Sequence, residues 1–289
     1  MKLGLHISNF TWPVTTDELA PTLARIARDA DEAGFDRISV MDHVWQIAVH
    51  GPPENDMLEA YTTLGFLAAH TSRAKLLTLV TGVVYREPGL LAKIVTTLDV
   101  LSRGRAMLGV GAAWNEDESR GLGLFFPPLK ERFERLEESL RIVRQMFDGP
   151  EGSFEGKHYT LGRTLNNPRP IGPRVPILIG GGGEKKTLRL VAQYADSCNL
   201  FLSAETGHKL EVLKQHCKDV GRDYDEIEKT CLFRYDLGEN GSRVDETLEG
   251  LAAASRLGFT VAHGGVKNLS DPATLALFRD RVIPEASKI

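Results

Sequence analysis

The stretch Lys2-Leu3-Gly4-Leu5-His6-Ile7-Ser8-Asn9 decides the fold of this 289-residue chain. It reads as a strand over Lys2–Ser8, and it ends without the glycine fingerprint that an open, doubly wound sheet more often carries after its first strand. Outward from it a rhythm of strands and helices unfolds. Leu19, Leu23, Ile26, Ala27 and Ala30 fall at helical spacing, and Gly34 stops that helix. Strands are expected at Asp36–Met41, Leu76–Val83 and Arg105–Gly111, with helices over Thr62–His70 and from Pro88 to about Leu101. A long amphipathic helix follows on the stripe Phe133, Leu136, Leu140, Val143 and Phe147. After an interruption the pattern resumes. Strands are expected at Ile177–Gly180, Ser197–Leu202, Thr230–Asp236 and Thr260–Ala262. Helices are expected at Lys185–Tyr194, Glu205–Val220 and Val244–Leu257, and a last one starts at Pro272.

Eight strand–helix units imply an α/β chain with a parallel sheet closed into a (β/α)8 TIM barrel, read as a single domain over residues 1–289. The interruption, Gly149–Val175, is dense in turn formers at its end (Pro168, Pro170, Gly172, Pro173). It reads as an insertion after the fourth unit, with a small hairpin at Ser153–Leu161.

Composition excludes several classes of function. Lysine and arginine number 35 against 39 aspartates and glutamates, a net charge of −4, so the surface has no footprint for nucleic acid or an anionic membrane. The longest apolar stretch, Leu76–Val84, falls short of the roughly 18 residues of a membrane helix. The N-terminus is too soon polar for a signal-peptide core. Cys198, Cys217 and Cys231 form no CxxC pair, which fits reduced thiols and a cytoplasmic location. The eight histidines are dispersed, without HxH or HExxH, so no metal site is expected.

In a barrel, chemistry sits at the C-terminal ends of strands. Those ends carry His6, then Asp42-His43, Thr81-Gly82-Val83, Gly109-Val110-Gly111 running into Ala112–Glu116, and the run Gly180-Gly181-Gly182-Gly183. Four glycines before a helix start allow close backbone approach and offer free N–H groups to an anion, with Lys185 and Lys186 as added donors. Phosphate binding is the sharper reading and a flexible, solvated connection the plainer one. Walker A spacing is absent. His43 reads as a proton donor or shuttle, against a structural role closing the strand–loop junction. His6 reads equally as a site residue or as filler of the barrel mouth. Trp12, Trp45 and Trp114 all follow strand ends, and Trp45 and Trp114 suit a wall for a flat heteroaromatic ring.

The combination Asp42-His43, Gly109-x-Gly111-Ala112-x-Trp114-Asn115-Glu116 and Ile179 followed by four glycines resembles the luciferase-like superfamily of flavin and deazaflavin oxidoreductases. It is most similar to the branch of F420-dependent oxidoreductases. The resemblance implies a barrel with an insertion and a ring bound in its mouth. It also implies a non-proline cis peptide in a bulge after the third strand, at the matching Gly82-Val83. Cofactor contacts are implied at Val110, Gly111 and Asn115, and the phosphate-bearing tail on Gly180 to Gly183. His6, Asp42, Thr81 and Lys186 complete the expected cofactor set, and His43 is the expected catalytic residue. One departure stands out: Ala112 replaces the glutamate that donates a proton in sugar-phosphate dehydrogenases of the group, with Glu116 a few residues later. The implied activity is hydride transfer between coenzyme F420 and an unidentified small organic substrate, in a homodimer. The alternatives are an FMN-dependent monooxygenase and a non-catalytic cofactor-binding protein.

Overall fold

A computed structural model describes residues 1–172 and 174–289; Pro173, one of the expected turn formers, lies outside the described residues. The strands in chain order are β1 (Lys2–Ile7), β2 (Arg37–Val40), β3 (Lys75–Thr78), β4 (Thr81–Gly82), β5 (Leu108–Gly111), β6 (Phe154–Glu155), β7 (Thr160–Leu161), β8 (Ile177–Gly180), β9 (Ser197–Phe201), β10 (Glu228–Tyr235) and β11 (Val261–Val266). All except β6 and β7 join one sheet in the order β3-β2-β1-β11-β10-β9-β8-β5-β4, with every pairing parallel. A parallel bridge from Leu76 to Ala106, backed by the Met107 amide donating to the Leu76 carbonyl at 2.9 Å, closes the ring. Because β4 continues β3 past a two-residue bulge, the barrel has eight staves, as the strand–helix alternation predicts.

The helices around it are α1 (Leu19–Ala33), α2 (Ala60–Ala69), α3 (Pro88–Ser102), α4 (Glu116–Gly121), α5 (Leu129–Phe147), α6 (Thr187–Tyr194), α7 (Thr206–Asp219) and α8 (Val244–Arg256), followed by the short α9 (Pro272–Leu277) and α10 (Ile283–Ala286). No helix among the described residues is long and apolar enough to cross a membrane. The α1 stripe Leu23, Ile26, Ala27 and Ala30 is buried on the sheet, and Gly34 takes a left-handed φ of 99° at its end. Glu184 to Lys186 form a turn, so α6 starts two residues later than expected. The expected hairpin is present as the antiparallel pair β6–β7. The buried Glu138 carboxylate of α5 docks it by accepting the backbone amides of Lys157 (2.8 Å), His158 (3.0 Å) and Tyr159 (3.0 Å).

Alternate strand residues face inward. Leu76, Leu108 and Ile177 pack outward with the helices, while Leu77, Met107 and Leu178 form a separate apolar cluster inside, capped by Leu79 and Val80. The opposite inner wall is polar, with Arg37, Ser39, His6, Asn199, Thr230 and His263 all buried. Arg37 is neutralised by Asp36 (2.7 Å) and Glu228 (2.9 Å).

The bulge corrects one expectation. The non-proline cis peptide joins Leu79 to Val80, not Gly82 to Val83. Gly82 instead pairs regularly with Gly111, and Val83 is buried in the outer core. The glycines that make room for the bulge lie on the neighbouring staves. A Cβ on Gly109 would stand 1.9 Å from the Thr78 carbonyl oxygen; on Gly111, 3.1 Å from Val80 Cγ2; on Gly180, 2.9 Å from Val80 Cγ1. The Val80 side chain thus occupies the volume that absent side chains leave on β5 and β8.

Gly109→Ala is therefore expected to destabilise the protein by about 3 kcal/mol or more, because backbone must move to relieve the clash. Gly65→Ala, inside α2 where an added Cβ meets nothing within 4 Å, provides the contrast. It should stabilise by about 0.5–1 kcal/mol. Urea denaturation midpoints check both, and equal midpoints for the two variants would contradict the interlock.

Candidate active site

The mouth of the barrel is organised around a carboxylate that the sequence reading did not single out. Glu118, in the first turn of α4, is 1% exposed. Its Oε2 accepts from His43 Nδ1 (2.6 Å), the Tyr85 hydroxyl (2.9 Å) and Asn115 Nδ2 (3.1 Å). Its Oε1 accepts the backbone amides of Val44 and of Trp45, the latter at 3.1 Å. Asn115 is the N-cap of α4, and its side-chain oxygen accepts the Glu118 amide. Burial alone would raise the Glu118 carboxyl, but the hydrogen bonds from His43 and from the Val44 and Trp45 amides outweigh it. The group is held below the ordinary carboxylate value. A signal for Glu118 did exist: Asn115-x-x-Glu118 has the spacing of a capping box, with the glutamate turned to His43 instead of its own N-cap amide.

His43 keeps 12% of its side chain exposed. The Trp114 ring, 64% exposed, lies edge-on to it with centroids 5.5 Å apart. Trp45 covers Gly121, where an added Cβ would stand 2.1 Å from the indole, and Trp12 packs on Phe10. Glu116, the other acid of this turn, is half exposed and paired with Arg120.

A second cluster lies behind the first. Asp42 is buried and bound by both Arg86 nitrogens, at 2.6 and 3.1 Å, while Arg86 also reaches Glu59 and lies 4.6 Å over the Tyr61 ring. Burial pushes the Asp42 carboxyl up, against the pull of Arg86. The Tyr61 hydroxyl meets Thr81 Oγ1 at 2.7 Å. The side chains of Asp42 and Thr81 are thus committed to packing, and Val110 faces the outer core. Gly111 and Gly180 are covered by the Val80 side chain, and Gly82 by Tyr85 and Ala113, each within 3.1 Å of an added Cβ.

His6 is buried, with Nδ1 3.0 Å from Ser39 Oγ. Burial, then repulsion from His50, lowers its pKa to about 4, so it is neutral at physiological pH.

The glycine run follows β8 into the turn before α6. Gly181 has a φ of 114°, which favours glycine, and its amide donates to the Asn199 carbonyl. The cation against this loop is not Lys186, which is exposed and lies 5.1 Å from the Phe133 ring. It is Lys209 of α7, whose Nζ would come within 3.3 Å of a Cβ on Gly182. No sequence spacing links Lys209 to the loop. Among the described residues no group of three or more His, Cys, Asp and Glu side chains could hold a metal ion.

This geometry suits a flat, partly apolar ring carrying an anionic tail. Val80, packed on Gly109, Gly111 and Gly180, offers an apolar shelf, His43 and Trp114 stand at one edge, and the Gly180–Gly183 loop with Lys209 stands at another. Residues 1–276 match the luciferase-like monooxygenase family. The chain belongs to that family. This luciferase-like chain is 33% identical over 228 residues to a protein of Nakamurella multipartita named F420-dependent glucose-6-phosphate dehydrogenase, across 76% of this chain and 65% of that protein. It therefore spans just under two thirds of that relative's length. It superposes on an F420-dependent secondary alcohol dehydrogenase in complex with an F420–acetone adduct with a TM-score of 0.81, at 17% identity, over 99% of this chain and 98% of that one. It also superposes on the FMN-bound oxygenating constituent of 3,6-diketocamphane monooxygenase from Pseudomonas putida, with a TM-score of 0.74 and 17% identity over 98% of each chain. At such identities the two structures show the luciferase-like barrel fold.

The depressed pKa of His6 has a thermodynamic signature. Between pH 6.5 and about 4 the unfolded chain binds a proton at this histidine that the folded chain refuses, so stability falls as pH falls through that window. The full loss from this one group is about 3 kcal/mol. In His6→Gln the decline between pH 7 and pH 4.5 should be shallower by most of that amount, as read from urea unfolding at each pH. An unchanged decline would mean that His6 is not the buried neutral group described.

Proposed function

We propose that this luciferase-like protein is an oxidoreductase that moves a hydride between the deazaflavin coenzyme F420 and a small organic substrate. The observation that carries the reading is the Val80 shelf, seated on Gly109, Gly111 and Gly180 directly inside the mouth that holds His43. The names of curated relatives favour F420 over FMN as the ring. When bound, the deazaflavin supplies a two-electron hydride carrier. The residues of the chain supply the rest. Val80 would support the ring, and the Gly180–Gly183 loop with Lys209 would hold its anionic tail. His43 holds or takes a proton at Nε2, and Trp114 shields that edge from water. Ala112 offers no acid in the β5–α4 turn, so the sugar-phosphate chemistry in the relative's name is not carried over, and the substrate stays a small organic molecule without closer definition.

The FMN-dependent monooxygenase reading uses the same shelf, and an FMN-bound structure of the same fold supports it. The proposal further takes residues 1–289 as one barrel with 149–175 as its insertion, working as a homodimer on small molecules alone. The burial of all three free thiols fits a reducing, cytoplasmic setting.

Titration of the protein with F420 and separately with FMN, followed by tryptophan fluorescence, tests the proposal. F420 should bind at least tenfold more tightly. His43→Ala should keep that affinity while slowing reoxidation of the reduced coenzyme by a panel of carbonyl compounds about 10²–10⁴-fold. Preference for FMN would replace the reading with the monooxygenase. Binding of neither, or full turnover by His43→Ala, would remove it.

A further inference from the structure

We infer that Glu118 is a positioning residue that fixes His43 with its Nδ1 proton turned inward, so that Nε2 is the nitrogen through which the site exchanges protons with substrate. The chemistry rests on the hydride-transfer reading above, whereas the geometry does not.

The partners of Glu118 settle the hydrogen-bond directions. The amides of Val44 and Trp45 and the Asn115 side-chain nitrogen can only donate, and the carboxylate can only accept. At 2.6 Å from the same oxygen set, His43 Nδ1 must therefore carry its hydrogen. That leaves Nε2 as the nitrogen with no partner among the described residues, on a side chain still 12% exposed beside Trp114.

The other titratable groups facing His43 do not compete for the role. Tyr85, from the turn after β4, spends its hydroxyl on Glu118, and burial and that charge push its pKa up. His50, in the loop after β2, is pushed down by burial and by His43. Asp42 is bound to Arg86, and His6 is buried and neutral. Glu116 sits at the surface with Arg120.

In the reducing direction the substrate is a C=O or C=N compound. As hydride reaches its carbon, the π electron pair moves to the heteroatom, which takes the proton from Nε2. His43 passes from imidazolium to neutral imidazole with Nδ1–H still held by Glu118, and it regains the lost proton from solvent. In the oxidising direction neutral Nε2 takes the proton from the alcohol or amine.

Nitrogen-15 NMR of histidine-labelled protein reads the tautomer without cofactor or substrate. Neutral His43 should be the Nδ1–H form, and in Glu118→Gln it should shift toward Nε2–H. In the same variant F420 affinity should be unchanged and turnover should fall about 10–100-fold. Glu118→Asp, which keeps the charge, should restore part of the Nδ1–H population and part of the turnover. A wild-type Nε2–H tautomer would overturn the inference even if Glu118→Gln failed to fold, and so would an unmoved tautomer in a folded variant. An Nδ1–H tautomer in a protein that binds no F420 would keep the positioning role and sink only the hydride-transfer reading.

Discussion

Val80 sits in a gap that three glycines on two neighbouring staves leave open, and much of the mouth depends on that fit. The interior of a small barrel is normally filled by inward side chains from its staves. Here β5 and β8 give up theirs at Gly109, Gly111 and Gly180, and the bulge after β3 brings Leu79 and Val80 inward to cap Leu77, Met107 and Leu178. The same bulge reverses the alternation beyond it. Thr81 turns outward to Tyr61, which lies beneath Arg86 and so next to Asp42. One packing event thus supplies an apolar floor and fixes which side chains behind it are withheld from the mouth.

Most of the architecture was legible in the sequence because each element carries its own period. The α1 stripe, the Gly34 stop and the β-branched runs are local patterns, and their alternation implies a barrel. The position of the bulge was not legible, since what permits it lies about 30 residues away on β5 and about 100 away on β8. Asp42 and Thr81 could be placed at strand ends, but the facing of their side chains depends on that unseen bulge. His43 was legible as a polar residue at a strand end, whereas the partner that orients it comes from α4, 75 residues further on. Glu118 left only a faint mark, a capping-box spacing that describes half of what it does. Lys209 left none, because its approach to Gly182 is purely tertiary.

The electrostatics follow the same division between local and distant. A chain of net charge −4 cannot attract an anion by its overall field, so any anionic group would have to be met locally, as by the glycine loop and Lys209 in the function proposed above. Inside the barrel, charge is either neutralised in place, as at Arg37 with Asp36 and Glu228, or avoided, as at His6 and His263, where burial favours the neutral ring. Glu118 is the exception near the mouth: a buried anion that is stable because five donors converge on it.

The glycine-seated valine floor has a consequence for how such a protein can diversify. A surface made of one valine seated on glycine main chain offers few side chains for mutation to alter. Residues on the surrounding loops, such as Trp114 and Val44, are exposed and carry little of the packing. Change can accumulate there without disturbing the floor beneath, which lets one scaffold be fitted to many reactants while its reactive plane stays where it was.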